Sequence, residues 1–224
     1  MRHLDQPFAG PVLAALLAAL LGALPADAAD LDIAVLDAAG HGVEGIVLVA
    51  EPEFPVSARR PVRTAIMDQQ NMQFVPNIVV IQTGMGVEFP NSDQIQHQVY
   101  SFSAAKSFQL SLYAGHKYPP VVFDRPGLVV VGCNIHDRMI GYIYVSDSPY
   151  FGRSDESGHL ALRDLPAGDY RLTAWHPRMQ ERAGTTLQMP VLIMDATPAN
   201  AVFHLAQPLR PSTQHPGDKR WADY

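Results

Sequence analysis

The sequence predicts an all-β protein, and three observations carry that prediction. Nineteen prolines and sixteen glycines are spread along the 224 residues without a fixed period, so turns are frequent and elements short. Short runs of β-branched and aromatic residues recur between those turns. No window carries a sustained helical period. With 47% apolar residues the chain can bury one large core or two small ones, which excludes disorder throughout. Sixteen basic against twenty-two acidic residues leave a net charge of −6, with no cluster of Lys or Arg. That balance argues against a nucleic-acid or anionic-membrane partner and leaves a basic partner open.

The elements follow in chain order. Arg2 and His3 precede an apolar stretch from Val12 to Leu24, and Ala26-Asp27-Ala28 then has the small-x-small pattern of a signal-peptidase site. Residues 1–28 therefore read as a signal peptide cleaved after Ala28, which places the mature chain in the periplasm. A spanning helix is the rival, but the apolar stretch is shorter than the roughly 20 residues a bilayer requires. No later apolar run offers a membrane span. Leu31–Val35 and Ile46–Val49 flank the turn residues Ala38–Gly42 and read as a hairpin. Glu51–Pro61, with three prolines, reads as a linker. Strand signals then recur at Arg63–Met67, Ile78–Gln82, Gly86–Phe89, His97–Phe102, Phe108–Leu112, Val121–Phe123, Leu128–Cys133 and Tyr142–Val145, a density that predicts a β-sandwich. Alternation resumes at Leu160–Leu162, Tyr170–Ala174 and Val202–Leu205, and Gln207–Tyr224 reads as a disordered tail.

The chemistry is concentrated around the single cysteine. In an oxidising compartment Cys133 has no internal disulfide partner, so it must be buried or otherwise occupied. Burial as a small hydrophobe is the ordinary reading, but the neighbours point elsewhere. Cys133, His136 and Met139 recur at three-residue spacing between the strand ending at Val131 and the strand starting at Tyr142. A loop between adjacent strands can turn all three side chains toward one point. His97, upstream, supplies a second imidazole. Two His, one Cys and a weak Met form the ligand set of a mononuclear blue-copper electron-transfer site, whereas thioether is a poor fourth ligand for zinc.

Taken in order, these motifs resemble a cupredoxin. Met72–Pro76 and Val79–Ile81 are similar to its early strands, Val87–Asn91 precedes the first histidine, and the short Cys133–Met139 segment resembles that of amicyanin. The resemblance implies a Greek-key sandwich holding one type 1 copper on His97, Cys133, His136 and Met139, with Asn91 tying the two ligand loops together. Asp137 and Arg138 stand where amicyanin has Pro and Phe. The flanks resemble the two halves of a transthyretin-like or carboxypeptidase-regulatory-like sandwich: Leu36–Gly40 and Val43–Ile46 before, then Ser154–Leu160, Leu165–Tyr170 and Ala174–Pro177 after. The expected organisation is a signal peptide at 1–28, a split sandwich at 29–60 and 149–206, a cupredoxin at 61–148 and a tail at 207–224. Combinations of this kind resemble exported proteins named for methylamine utilisation.

Other residues carry less. His176, in Trp175-His176-Pro177, reads as a hydrogen-bonded histidine more readily than as a ligand, and His41, His116, His159 and His204 lack the close partner a separate metal site needs. Asp155 and Asp164 fall in turn contexts. No nucleophile elbow, phosphate-binding glycine loop or zinc-protease helix occurs, so no enzyme activity is expected. Three function classes follow: a one-electron carrier serving a periplasmic redox protein, a copper-binding or sensing protein without electron traffic, and a partner-binding module with structural copper. A closed four-ligand site favours the carrier.

Overall fold

The structure is a computed structural model that describes residues 28–56, 64–181 and 185–212. Among these residues every regular element is a strand. The expected signal peptide, apart from Ala28, lies outside the described residues, as does the second half of the expected linker. No described helix is long and apolar enough to cross a membrane.

The central stretch folds into two facing sheets in the Greek-key arrangement that the resemblance implied. One sheet has five strands in the order β6 (Ile78–Gln82), β12 (His136–Ser146), β11 (Gly127–Cys133), β8 (His97–Ser103) and β9 (Lys106–Tyr113). Its β6–β12 pair is parallel and the others are antiparallel. The opposing sheet is β3 (Thr64–Ile66), β7 (Gly86–Glu88) and β10 (Val121–Val122). Alternation along the strands sends Ile81, Val99, Val129, Val131, Ile143 and Val145 inward, where they pack with Phe74, Val87, Phe89 and Phe123. Each such side chain contributes about 1.5–3 kcal/mol by burial.

A two-stranded hairpin, β4 (Asp68–Gln70) and β5 (Gln73–Val75), lies beside this sandwich. The sequence reading treated Met72 as strand and did not foresee the pair. Asn71 and Met72 instead form its two-residue turn, both with left-handed backbone (φ 53° and 56°), as a type I′ turn requires. The hairpin approaches β12 at Gly141, where an added Cβ would stand 3.0 Å from both Phe74 and Val131.

The flanking strands build a second pair of sheets from both ends of the chain. One is β14 (His159–Leu165), β1 (Ala29–Leu36) and β17 (Ala199–His204); the other is β13 (Phe151–Arg153), β2 (Val47–Pro52), β15 (Gly168–Trp175) and β16 (Thr186–Ile193). Leu31, Ile33, Leu48, Leu172 and Phe203 lie in the core between them. The hairpin expected from Leu31 to Val49 is corrected here. Although Leu36 bridges Gly42, β1 pairs with β14 and β17 while β2 pairs with β13 and β15. The reason lies in the burial of β2 on both faces: Leu48 and Ala50 point into this core, and Val47 and Val49 point toward the central sandwich. A strand apolar on both sides belongs in the middle of a stack, away from its sequence neighbour.

The two sandwiches meet at Trp175, which lies edge-on to Tyr142 (5.9 Å between ring centres) and tilted over Tyr144 (5.6 Å), with Val47, Val49 and Ile78 buried beside it. Arg153 adds a hydrogen bond to the Ile78 carbonyl at 3.0 Å. The segment expected to begin a disordered tail is partly held. Arg210 exchanges bonds with Arg178, and Gln180 donates to the Pro208 carbonyl. Residues 213–224 lie outside the described residues.

Candidate metal centre

Three of the expected ligands converge at one end of the central sandwich. His97 opens β8, Cys133 closes β11 and His136 opens β12, so each sits at a strand end pinned by the five-stranded sheet. The expectation of a free loop between Cys133 and Tyr142 is corrected. Cys133 pairs with His136 across the two-residue turn Asn134-Ile135, and Gly132 pairs with Ile140, so Asp137, Arg138 and Met139 bulge out of the ladder. The bulge exposes Asp137 and Arg138 and turns Met139 inward. Met139 is 1% exposed and belongs to the same buried cluster as Cys133.

The donor geometry is compact. The Nδ1 atoms of His97 and His136 are 3.2 Å apart, and Cys133 Sγ lies 3.8 Å from the first and 3.7 Å from the second. A triangle with those sides has a circumradius of about 2.1 Å, close to the roughly 2.0–2.3 Å bonds that imidazole and thiolate make to a transition metal. One ion at ordinary bond lengths therefore fits near the plane of the three donors. Two imidazole nitrogens and one sulfur thus form a His2Cys set able to hold one metal ion. Among the described residues this is the one group of three or more His, Cys, Asp or Glu side chains close enough to hold a metal. His41 instead faces Asp37 and His116 faces Glu88, each at 3.4 Å.

The electrostatics bias Cys133 and His136, but not His97, toward metal-binding forms. Burial pushes the Cys133 thiol up, but the hydrogen bond with His97, the backbone amides of Gln98 and Ile135 and the charge of His97 outweigh it, so its pKa falls below the ordinary value. Burial and the neighbouring His97 charge hold His136 below the ordinary histidine value, with Asp93 acting weakly the other way. Burial also opposes protonation of His97, yet Cys133 and Asp93 together raise its pKa. These shifts favour the ligating forms of Cys133 and His136 and oppose that of His97.

The loop before His97 is wound around Asn91. Its side-chain amide donates to the carbonyls of Ile95 (2.9 Å) and Tyr113 (2.8 Å), its Oδ1 accepts from the Asp93 amide (3.0 Å), and its backbone exchanges two bonds with Gly115. These bonds all lie on the His97 side, so the expected tie from Asn91 to the Cys133–Met139 segment is not among them. The sequence reading also passed over Asp93. Its Oδ2 lies 2.7 Å from His97 Nε2, on the far side of the ring from the other donors. An acidic residue four positions before the histidine was the available signal.

His176 takes no part in the centre. It is 5% exposed, and its Nδ1 accepts the Arg178 amide at 3.1 Å. Burial, with the charges of Arg178 and Arg153, pushes its pKa down to about 4.

No protein-family model matches the chain, and no curated protein matches it. Solved structures do. A copper-containing nitrite reductase from Thermus scotoductus SA-01 aligns with 42% of this chain at 22% identity and a TM-score of 0.36, and the chain covers 25% of that protein. A purple cupredoxin from Nitrosopumilus maritimus aligns with 37% of this chain and 98% of its own length, at 22% identity and a TM-score of 0.33. A pseudoazurin from Methylobacterium extorquens AM1 covers 38% of this chain and 77% of itself, at 19% identity and a TM-score of 0.33.

Proposed function

We propose that this protein is an exported cupredoxin that carries single electrons on one type 1 copper, held by His97, Cys133, His136 and Met139. The observation that carries the proposal is the convergence of two imidazole Nδ1 atoms and one thiolate sulfur within 3.2–3.8 Å. Copper bound there supplies a one-electron couple. The chain supplies the rest: strand ends that hold His97, Cys133 and His136 in place, a buried thioether at Met139, and a core that excludes water from the thiolate. Because the donors are fixed by the sheet before any electron moves, little rearrangement accompanies the transfer. With Met139 as a weak fourth ligand the site is closed, which leaves no position for a substrate and favours a carrier over an enzyme.

His136 is half-buried and lies beside Ile135, which is 50% exposed, so its ring edge is the route for electrons between the centre and a partner. Asp137 and Arg138 flank it, and the partner surface that fits them carries charges of both signs. That partner is a periplasmic redox protein; a link to methylamine utilisation rests on the resemblance of the flanks. The test is the visible spectrum of the purified protein after copper addition. An intense blue or green colour from thiolate-to-copper charge transfer is expected, and Cys133→Ser should abolish it, because a serine hydroxyl does not ionise near neutral pH. Full colour in the serine variant would defeat the assignment.

A further inference from the structure

We infer that Asp93 is a positioning residue of this centre: its carboxylate holds the His97 ring with Nδ1 turned toward Cys133 and His136, and it makes the β4–β5 hairpin part of the metal site. The inference rests on the copper reading above and adds to it a residue and an element that the ligand set does not include.

The geometry is that of a carboxylate fixed before it acts. Asp93 Oδ1 accepts the Asn71 amide at 2.6 Å, and Oδ2 accepts the Met72 amide at 2.9 Å. The same Oδ2 accepts a hydrogen bond from His97 Nε2–H at 2.7 Å. Asp93's own amide is tied to Asn91. Two consecutive left-handed residues at the hairpin tip aim their amides at one side chain, which is how a backbone concavity binds an anion. The His97 side chain is fully buried and that of Asp93 is 15% exposed, so the pair is shielded from most solvent screening.

Two consequences follow from chemistry alone. A carboxylate accepting from Nε2–H leaves the Nδ1 lone pair free and aimed at the other donors, and it raises the basicity of that nitrogen. Its negative charge, close behind the ligand ring, also favours the more positively charged oxidation state of a bound metal. The reduction potential is therefore lower with Asp93 than without its charge.

Two substitutions separate these effects. Asp93→Asn keeps an acceptor and the side-chain shape but removes the charge, and should move the reduction potential of the copper-loaded protein upward while copper stays bound. Asp93→Ala removes the acceptor as well, and should weaken copper affinity about 10- to 100-fold. Asp68→Asn is the control. Asp68 holds Ser92 and Gln70 in the same loop contact, with bonds at 2.7 and 2.6 Å, and has no bond to His97. It should lower the melting temperature and leave the potential at the wild-type value. In the metal-free protein, nitrogen NMR of the His97 ring should report protonated Nε2 in the wild type and a mixture of tautomers in Asp93→Ala. Wild-type potential and affinity in both Asp93 variants, or equal shifts in Asp68→Asn, would overturn the inference. Absence of copper colour in the wild type would instead overturn the copper reading, and the ring tautomer would still decide the role of Asp93.

Discussion

His176 illustrates how one side chain sets a pH dependence for the whole flanking sandwich. It is buried between β15 and the turn held by its own Nδ1, and its pKa is about 4 in the folded chain against an ordinary 6.5. The sign follows from proton counting. Above the unfolded pKa neither state binds the proton, so the folded chain keeps its full stability. As pH falls from about 6.5 toward 4 the unfolded chain binds a proton that the folded chain refuses, and stability is lost. The loss at one site is about 3 kcal/mol. His176→Asn keeps an acceptor for the Arg178 amide and removes the titration, so its melting temperature should fall less steeply than that of the wild type between pH 7 and 4.5. Parallel profiles would refute the assignment. A histidine flanked by Trp and Pro gives no sign in sequence of whether its nitrogen is buried; the ring was read correctly as hydrogen-bonded, but its partner and its shift come from the packing of β15.

At the scale of elements, the β4–β5 hairpin is built at some cost. Met72 holds φ at 56°, a region where a side chain with a Cβ is strained by roughly 1–2 kcal/mol. The strain persists because Asp93 rewards it with hydrogen bonds from both turn amides. Met72→Gly relieves the Cβ clash and keeps the amide, but raises the conformational entropy of the unfolded chain, which offsets part of the gain. A net stabilisation of about 0.5–1 kcal/mol is expected, read as a modest rise in the urea midpoint at unchanged slope. A fall in the midpoint would mean that the Met72 side chain contributes more by packing than its backbone loses. This hairpin was the part of the central stretch least legible beforehand. Asp68–Gln70 has neither apolar alternation nor β-branched residues, and Asn71-Met72 lacks the glycine that usually announces such a turn. Strands β9 and β11 were legible because their inward residues alternate with outward ones, and β6 because it is a short run of β-branched residues.

At the scale of the whole molecule, two cores are separated along the chain in an unusual way. One uses residues from β1 and β2 together with β14 to β17, and the other draws on residues between Met67 and Val145. Between them lies a small shared cluster around Trp175. We propose from this that the central sandwich is inserted into the flanking one and that each folds independently. Removing residues 61–148 and joining the flanks with a short Gly/Ser linker should leave a folded β-domain that binds no copper. The removed piece, expressed alone, should bind copper, because His97, Cys133, His136 and Met139 lie within it. Each loses the burial supplied at the Trp175 contact, about 1.5–3 kcal/mol per large side chain. Circular dichroism and limited proteolysis would decide it. Rapid digestion of the joined flanks, beside a well-folded central piece, would mean that the flanks depend on the centre.

The sequence alone determined the all-β class, most of the central strands and the candidate donors His97, Cys133 and His136. These are properties of local pattern: a period of two marks a half-buried strand, and soft donors at a short spacing beside a strand end mark a ligand segment. Tertiary structure decided what depends on contacts distant in sequence. It separated β1 from β2, because a strand apolar on both faces is placed by what covers it. It turned the expected free ligand loop into a bulged hairpin, because β12 reaches back to His136 and pairs with Cys133. It also brought Asn71 and Met72 against Asp93, and so beside His97, although they lie twenty-odd residues upstream. No local pattern encodes that meeting, since the carboxylate, the two amides and the imidazole share a site only after two loops have closed over the end of the sandwich.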